Sequence, residues 1–360
     1  MPDIYQNSPS ISSDEKTPPS LCGGGVSAVE NESYFLIQGN KSHTALSMRL
    51  CEPSEVSTNE DHQDRLKKYA LAHKRAISMS NWIRQNRIEK NEKLLSTLLK
   101  DCGDYLIFRN YFTVNQIRLH GMTSCKKHIL CPLCAIRRGA KSVQAYVDRL
   151  NVIKESHGKI KASLVTFTVK NGEDLKERFH HLQSSMKKYN LRRSNANGKG
   201  KHLPVEGNKA LGAVWSYEFK VGNGSGLWHP HAHAVWLHYD ELDEKQLSKE
   251  WLEITGDSHI VNITSFHNQD DVVSGFLEVF KYAVKFSDMP LEQNWHGYEI
   301  LNGRRLVASF GLFRGVEVPE ALTDEPLDSL PYWEHFYRYM PDGKYAVKQS
   351  SYFGGEELPF

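Results

Sequence analysis

The chain has no long apolar run. No stretch approaches the roughly 18 consecutive apolar residues of a membrane span. The N-terminus shows no basic stretch leading into an apolar core, so neither a spanning helix nor a secretory signal is expected. The expected compartment is the cytoplasm. Net charge is also nearly absent, at +2 over 360 residues, and by itself names no partner. Cysteine is scarce: there are six, too few at this length for a disulfide framework. Three of them (Cys125, Cys131 and Cys134) fall within ten residues, which points to metal.

What the small net charge hides is its distribution. Arg118 to Lys161 carries ten basic residues against two acids, and Lys176 to Lys209 carries nine against two. Glu317 to Asp342 carries one against seven. Two basic blocks suggest a polyanion-binding face.

Residues 1–60 are rich in Pro, Ser, Gly and Asn with little periodicity, and read as a flexible arm whose Cys22 and Cys51 are free thiols. Residues 61–150 read as a helical, DNA-binding segment with a cysteine site. From Asp64 to Lys100 the apolar positions recur at three- to four-residue spacing, which predicts two helices. Cys131-Pro-Leu-Cys134 is the local turn that places two thiolates on one tetrahedral zinc, and Cys125 is a natural third ligand. The fourth stays open among Cys102, His128 and His120; Cys102 is preferred because four thiolates close a structural site. Arg137, Arg138 and Lys141 follow on a helix that starts at this turn, in position to meet phosphates.

Residues 151–316 read as the regular core, and 317–360 as an acidic tail. The β-branched run 162–169, the stretch 211–219, the histidine stretch 228–238 and the run 260–264 predict strands. Segments 175–189, 242–254 and 270–286 predict helices. A Gly-rich turn (Gly222, Gly224, Gly226) makes the second and third strands a hairpin. The order β-α-β-β-α-β-α fits an α+β fold, a ferredoxin-like (RRM-like) antiparallel sheet with helices on one face.

The histidine stretch carries the chemistry. Residues two apart on a strand share a face, so His231 and His233 project together. The hairpin brings Glu218 beside them. Two imidazoles and a carboxylate with open positions suit Mg²⁺ or Mn²⁺, which grip a phosphate as Lewis acids. His229 reads as a hydrogen-bonded outer group rather than a ligand. On the following helix, Glu278, Tyr282 and Lys285 are spaced four and three apart and stack on one face. Tyr282 is the nucleophile candidate, and the Lys285 ammonium favours its phenolate.

These residues resemble the HUH endonucleases. The strand Leu-Val-Thr-Phe-Thr-Val-Lys-Asn (164–171), His-Pro-His-Ala-His (229–233) and Glu-Val-Phe-Lys-Tyr-Ala-Val-Lys-Phe-Ser-Asp (278–288) look like that family's three motifs. They look most like those of single-tyrosine initiators of rolling-circle plasmid replication. The segment from Cys125 to Lys141 resembles the cysteine stretch ahead of the core in one branch, and 303–311 looks like the closing strand. The resemblance covers about residues 90–316. It implies an endonuclease that nicks and rejoins single-stranded or hairpin origin DNA through a 5′-phosphotyrosine on Tyr282. His231, His233 and Glu218 would hold the metal, and Glu278 would be the base for a terminating hydrolysis. Lys285 would position the phosphate, and Lys281 would join the DNA contacts. Host helicase and polymerase are the implied partners. The alternatives are a transposase or relaxase of the same superfamily, or a zinc-containing DNA-binding regulator without catalysis.

Overall fold

The computed structural model describes residues 59–196, 205–222, 225–281, 285, 289–327 and 329–354, all within one folding unit, Arg49–Phe360. Nearly all of the N-terminal arm, its Cys22 and Cys51, and Tyr282 lie outside the described residues. Among the described residues no helix is long and apolar enough to cross a membrane.

Two antiparallel sheets organise the chain. The first contains β1 (Tyr105–Tyr111), β2 (Gln116–Met122), β8 (Tyr332–Tyr339) and β9 (Tyr345–Phe353), in the order β2-β1-β8-β9. The second contains β3 (Lys161–Thr168), β4 (Gly212–Val221), β5 (Trp228–His238), β6 (Val261–Ser265) and β7 (Val307–Gly311), in the order β6-β3-β5-β4-β7. The helices are α1 (Asn59–Asn86), α2 (Lys90–Asp101), α3 (Pro132–His157), α4 (Leu175–Ala196), α5 (Glu244–Thr255), α6 (Gln269–Phe280) and α7 (Leu291–Leu301).

The second sheet has the expected ferredoxin-like connectivity, β3-α4-β4-β5-α5-β6, with β7 added at the edge beside β4. Local chemistry sets its helix ends. Asp243 caps α5 by accepting from the backbone of Lys245 and Gln246, and Gly256 closes that helix at a φ of +76°. Asn268 and Asp271 form a capping box at the start of α6.

The crossover helices α4 and α5 lie on one face, where Phe167 packs 5.6 Å from the Tyr189 ring and 5.0 Å from the Trp251 ring. This pair meets the expectation of helices on one face, and α7 adds to that face through Gly297 against Phe219. The opposite face is covered too: Val235 and Leu237 of β5 join a core with Val143, Tyr146 and Leu150 of α3 and Phe276, Val279 and Phe280 of α6. Burial on both sides explains why β5 is apolar without alternation from Ala234 to Leu237.

The first sheet departs from the expected domain plan. Residues 317–360 were expected as an acidic tail, yet they supply β8 and β9, and β8 pairs with β1 along six residues from Tyr105↔Arg338 to Asn110↔Trp333. The boundary expected at residue 150 falls inside α3. Helix α7 was not anticipated; its inward face includes Asn294 and Gly297, which carry no apolar signal, and Gly297 sits against Phe219, where an added Cβ would be 2.8 Å from the ring.

The segment between β7 and β8 is pinned by Asp324. Its carboxylate accepts from Arg65 at 2.7 Å, from the Leu119 backbone at 2.7 Å, and from Arg137. Burial opposes ionisation there, but Arg137 and Arg65 outweigh it and hold the carboxyl well below the usual range. The folded-state value is therefore depressed, so this stabilisation is complete above the unfolded carboxylate range and fades as pH falls through it. Asp324→Ala should cost about 3 kcal/mol at neutral pH, because it strands two buried guanidiniums. The difference from the parent should shrink as acid is added. Chemical denaturation at pH 7 and near pH 3 checks this, and equal stability of the two proteins at pH 7 would refute it.

Candidate active site

Strand register assembles the site on the α3/α6 face of the second sheet. Glu218 of β4 lies directly opposite His231 of β5, and Ser216 opposite His233; on the other side Thr166 of β3 faces His233. All three side chains expected from the sequence to hold the metal are buried: Glu218 is 1%, His231 6% and His233 8% exposed. His231 Nε2 lies 3.4 Å from Glu218 Oε1, and His233 Nε2 lies 3.7 Å from Glu218 Oε2.

The far ring nitrogens are already engaged. His231 Nδ1 is 3.3 Å from the His229 carbonyl, which only accepts, so in the neutral ring Nε2 carries the lone pair that faces Glu218. His233 Nδ1 is 3.0 Å from Thr166 Oγ1. Such bonds fix ring orientation in metal sites. Burial, then the neighbouring His231, push His233 down to about 3, so its ring is neutral and able to ligate at pH 7. Burial would raise the Glu218 carboxyl, but His231, the Lys285 ammonium and His233 hold it well below the usual range.

Two atoms test whether a cation fits. Among the described residues Glu218 Oε2 and His233 Nε2 are buried without a hydrogen-bond partner, a state that costs free energy unless something else satisfies them. A coordination shell with bonds of about 2.1 Å has edges of about 3.0 to 3.4 Å, within a few tenths of the Glu218–histidine separations. Hard oxygen and borderline nitrogen donors without thiolate fit a divalent cation such as Mg²⁺ or Mn²⁺. His229 stands outside the set: its ring is 5.3 Å from that of His231 and its Nδ1 is 2.5 Å from Asn171 Oδ1.

Helix α6 delivers the other functional groups. Ser216 donates to the Val279 carbonyl, tying the end of the helix to the sheet beside His233. There Glu278 Oε1 lies 3.5 Å from His233 Nε2 and 3.3 Å from Lys285 Nζ. Lys281 pairs with the other Glu278 oxygen, and Lys285 also pairs with Glu218. Burial disfavours the Lys285 ammonium, but Glu218 and Glu278 raise its pKa above the ordinary value and keep it charged. Tyr282, between these two lysines in the chain, is outside the described residues.

The cysteines form a second cluster. Cys102 follows α2, Cys125 follows β2, and Cys131 and Cys134 open α3; all four are buried, with ligand atoms within 4.8 Å of one another. Sulfur separations are 3.5 Å for Cys102–Cys134, 3.5 Å for Cys102–Cys131 and 3.6 Å for Cys125–Cys134. A tetrahedral zinc with Zn–S bonds near 2.3 Å has S···S edges of about 3.8 Å, so the set fits a closed four-thiolate site. Cys102 is thus the fourth member, with neither His120 nor His128 in the group. Hydrogen bonding from Cys102, Cys131 and Cys134 lowers the Cys125 thiol, while hydrogen bonding with Cys102, Cys125 and Cys134 pushes Cys131 up.

Comparison with known protein families adds one finding. A family model described as Rep_1, Replication protein, matches residues 116–335. The chain belongs to the Rep_1 family of replication proteins. The match runs from β2 into β8 and contains the whole second sheet with its histidines and Glu218. No curated protein and no solved structure matched.

In this replication protein the basic row expected on DNA is largely engaged by its own chain. Arg137 is 5% exposed, donates to the Leu322 carbonyl at 2.6 Å and pairs with Asp324, which removes it from any phosphate-facing surface. Arg138 donates to the Pro319 carbonyl at 2.8 Å, and Lys141 lies 3.5 Å from Glu325. Reading the helix alone could not reveal these partners, because they come from a segment more than 180 residues away. Thr166, Asn171 and Ser216 were missed as supports of the histidines and of α6; Thr166 and Ser216 were legible in principle as the cross-strand neighbours of His233.

Proposed function

We propose that this replication protein initiates rolling-circle replication by nicking and rejoining one strand of plasmid origin DNA. One observation carries the reading: among the described residues Glu218 Oε2 and His233 Nε2 are unpartnered atoms in a buried carboxylate–imidazole cluster that Glu278 and Lys285 adjoin. His231, His233 and Glu218 would hold Mg²⁺ or Mn²⁺, which when bound supplies charge neutralisation at the phosphate.

The chain's own groups account for the rest. Tyr282, next to Lys281 in the sequence, attacks the phosphodiester; its oxygen forms a bond to phosphorus as the bond to the 3′ oxygen breaks. The products are a 5′-phosphotyrosine and a 3′-OH, which serves as primer for host polymerase working with host helicase. Lys285 supplies positive charge beside the tyrosine and the phosphate, favouring phenolate over phenol. Glu278, held ionised because Lys285 and Lys281 outweigh its burial, is placed to take a proton from water in a terminating hydrolysis. Phosphoryl transfer needs mainly positioning and charge stabilisation, which this arrangement supplies.

The test is covalent. Incubated with end-labelled single-stranded origin DNA and Mn²⁺, the protein should form an adduct that survives denaturing electrophoresis. Tyr282→Phe should form none while binding the same DNA with wild-type affinity. Adduct from the phenylalanine variant would overturn the nucleophile assignment. Absence of adduct from the wild type on origin DNA would favour a DNA-binding regulator without strand cleavage.

A further inference from the structure

Helix α1 covers part of one face of the first sheet, and among the described residues much of the other face stays half-exposed. Helix α1 packs against Phe108 and Tyr337 through His62, whose ring centroid is 4.6 Å from Phe108 and 5.6 Å from Tyr337. Strand alternation sends the neighbouring side chains the other way. That opposite face carries Tyr105 and Arg109 of β1, Tyr332, Phe336 and Arg338 of β8, and Phe353 of β9. Each is half-buried or exposed.

The rings on this face are arranged as flat steps. Tyr105 and Phe336 stack with centroids 5.7 Å apart and planes 29° apart. Tyr332 and Phe353 stack at 5.3 Å and 23°. The Arg109 guanidinium lies 4.4 Å over the Tyr332 ring. The two steps are four residues apart along β8, about 13 Å at the rise of a strand, which leaves room for a separate base at each; at the second, Phe353 is the ring offered, because Arg109 covers Tyr332.

Three arginines border the steps against two carboxylates, Glu334 and Asp104. Arg118 of β2 is held by the Gln116 side chain and the Glu325 carbonyl rather than by a carboxylate. Arg109 pairs with Glu334 at 3.0 Å, and Arg338 pairs with Asp104 at 2.9 Å while its side chain stays 55% exposed. A guanidinium has five N–H donors, so one carboxylate leaves others for phosphate.

We propose that this half-exposed face is a second nucleic-acid site, one that binds single-stranded DNA by stacking bases on the two aromatic steps while the arginines meet the backbone. Unpaired bases expose the faces that aromatic side chains recognise, and four-stranded sheets with surface aromatics use this mode. Duplex DNA hides its bases in the stack and offers grooves that a flat sheet face does not enter. The site lies on a different sheet from His231 and uses no metal. It goes beyond the nicking reaction: it would hold a strand rather than cut it.

Anisotropy of a fluorescein-labelled oligo(dT), measured with the full chain in EDTA, tests the site apart from cleavage. Phe353→Ala combined with Arg338→Ala changes two exposed side chains and should leave the melting temperature unaltered. Binding should weaken on the order of tenfold, and the slope of log affinity against log salt should become shallower by about 0.7. Oligonucleotide carrying 5-iododeoxyuridine should photocrosslink to peptides containing Tyr105 or residues 332–336. Unchanged oligo(dT) affinity in the double variant, equal competition by duplex DNA, or crosslinks confined to other peptides would each overturn the proposal. A loss of adduct formation in the cleavage assay would not touch it.

Discussion

Glu218→Gln should lower strand cleavage on the order of a thousandfold, since charge stabilisation by a metal in such reactions is worth several kcal/mol. Among the described residues Glu218 is the only group whose two oxygens each face a histidine Nε2, at 3.4 and 3.7 Å, so it closes the ligand set from the opposite strand. Glutamine keeps the length and can donate to an imidazole nitrogen, so the sheet should stay intact while one ligand's charge is lost. Mn²⁺ affinity, read by calorimetry or by electron paramagnetic resonance, should fall in the same variant by a hundredfold or so, as expected when ligation itself and not only its support is removed. Cleavage within a few-fold of wild type, or unchanged Mn²⁺ affinity, would sink the assignment of Glu218 as a ligand.

Removing zinc should have the larger structural effect. The four thiols come from the end of α2, the exit of β2 and the first turn of α3, so one ion would join three elements. Backbone around it is already committed: His73 Nδ1 donates to the Cys102 carbonyl at 2.6 Å, and Tyr345 of β9 donates to the Gly103 carbonyl at 2.6 Å. Gly103 itself has a φ of +82°, and a Cβ there would be 2.5 Å from Leu133. Structural zinc binds peptide sites with about 10–16 kcal/mol, comparable with the roughly 5–15 kcal/mol that stabilises a whole domain. Freshly purified protein should therefore contain one zinc per chain by elemental analysis. Cys131→Ser should lose it and melt at least 10 °C lower or without a single cooperative transition. Zinc-free native protein, or a Cys131→Ser variant with the parent's melting curve, would remove the site.

What could be read from the sequence was local or two-periodic. The histidine strand, its hairpin partner and the placement of Glu218 follow from alternation on neighbouring strands joined by a short turn. The Cys131–Cys134 turn follows from spacing within one helical turn. Helix α6 declared itself through Val272, Phe276 and Val279, which recur at helical intervals. The losses are long-range. Arg137 looked solvent-facing because the residue that neutralises it, Asp324, is 187 positions away. The acidic composition of 317–342 suggested a tail because Tyr332, Phe336 and Tyr337 gain meaning only beside β1, and Arg109 meets Glu334 across 225 positions. Side-chain periodicity carries no information about partners at such distances.

The two hairpins of the first sheet also impose an order on assembly. At the usual pace of translation, β8 leaves the ribosome roughly 10 to 45 seconds after β1, given the 225 positions between Arg109 and Glu334. Every strand of the histidine-bearing sheet has been synthesised by Gly311, before any of β8 exists. The nascent chain can thus complete the histidine-bearing sheet while β1 still presents an unpaired edge and Arg65 and Arg137 wait for Asp324. Closure of the first sheet has to wait for β8, and the entropy of joining such distant segments slows it. A molecule able to fasten both ends of the fold is one whose translation has passed the whole histidine-bearing sheet.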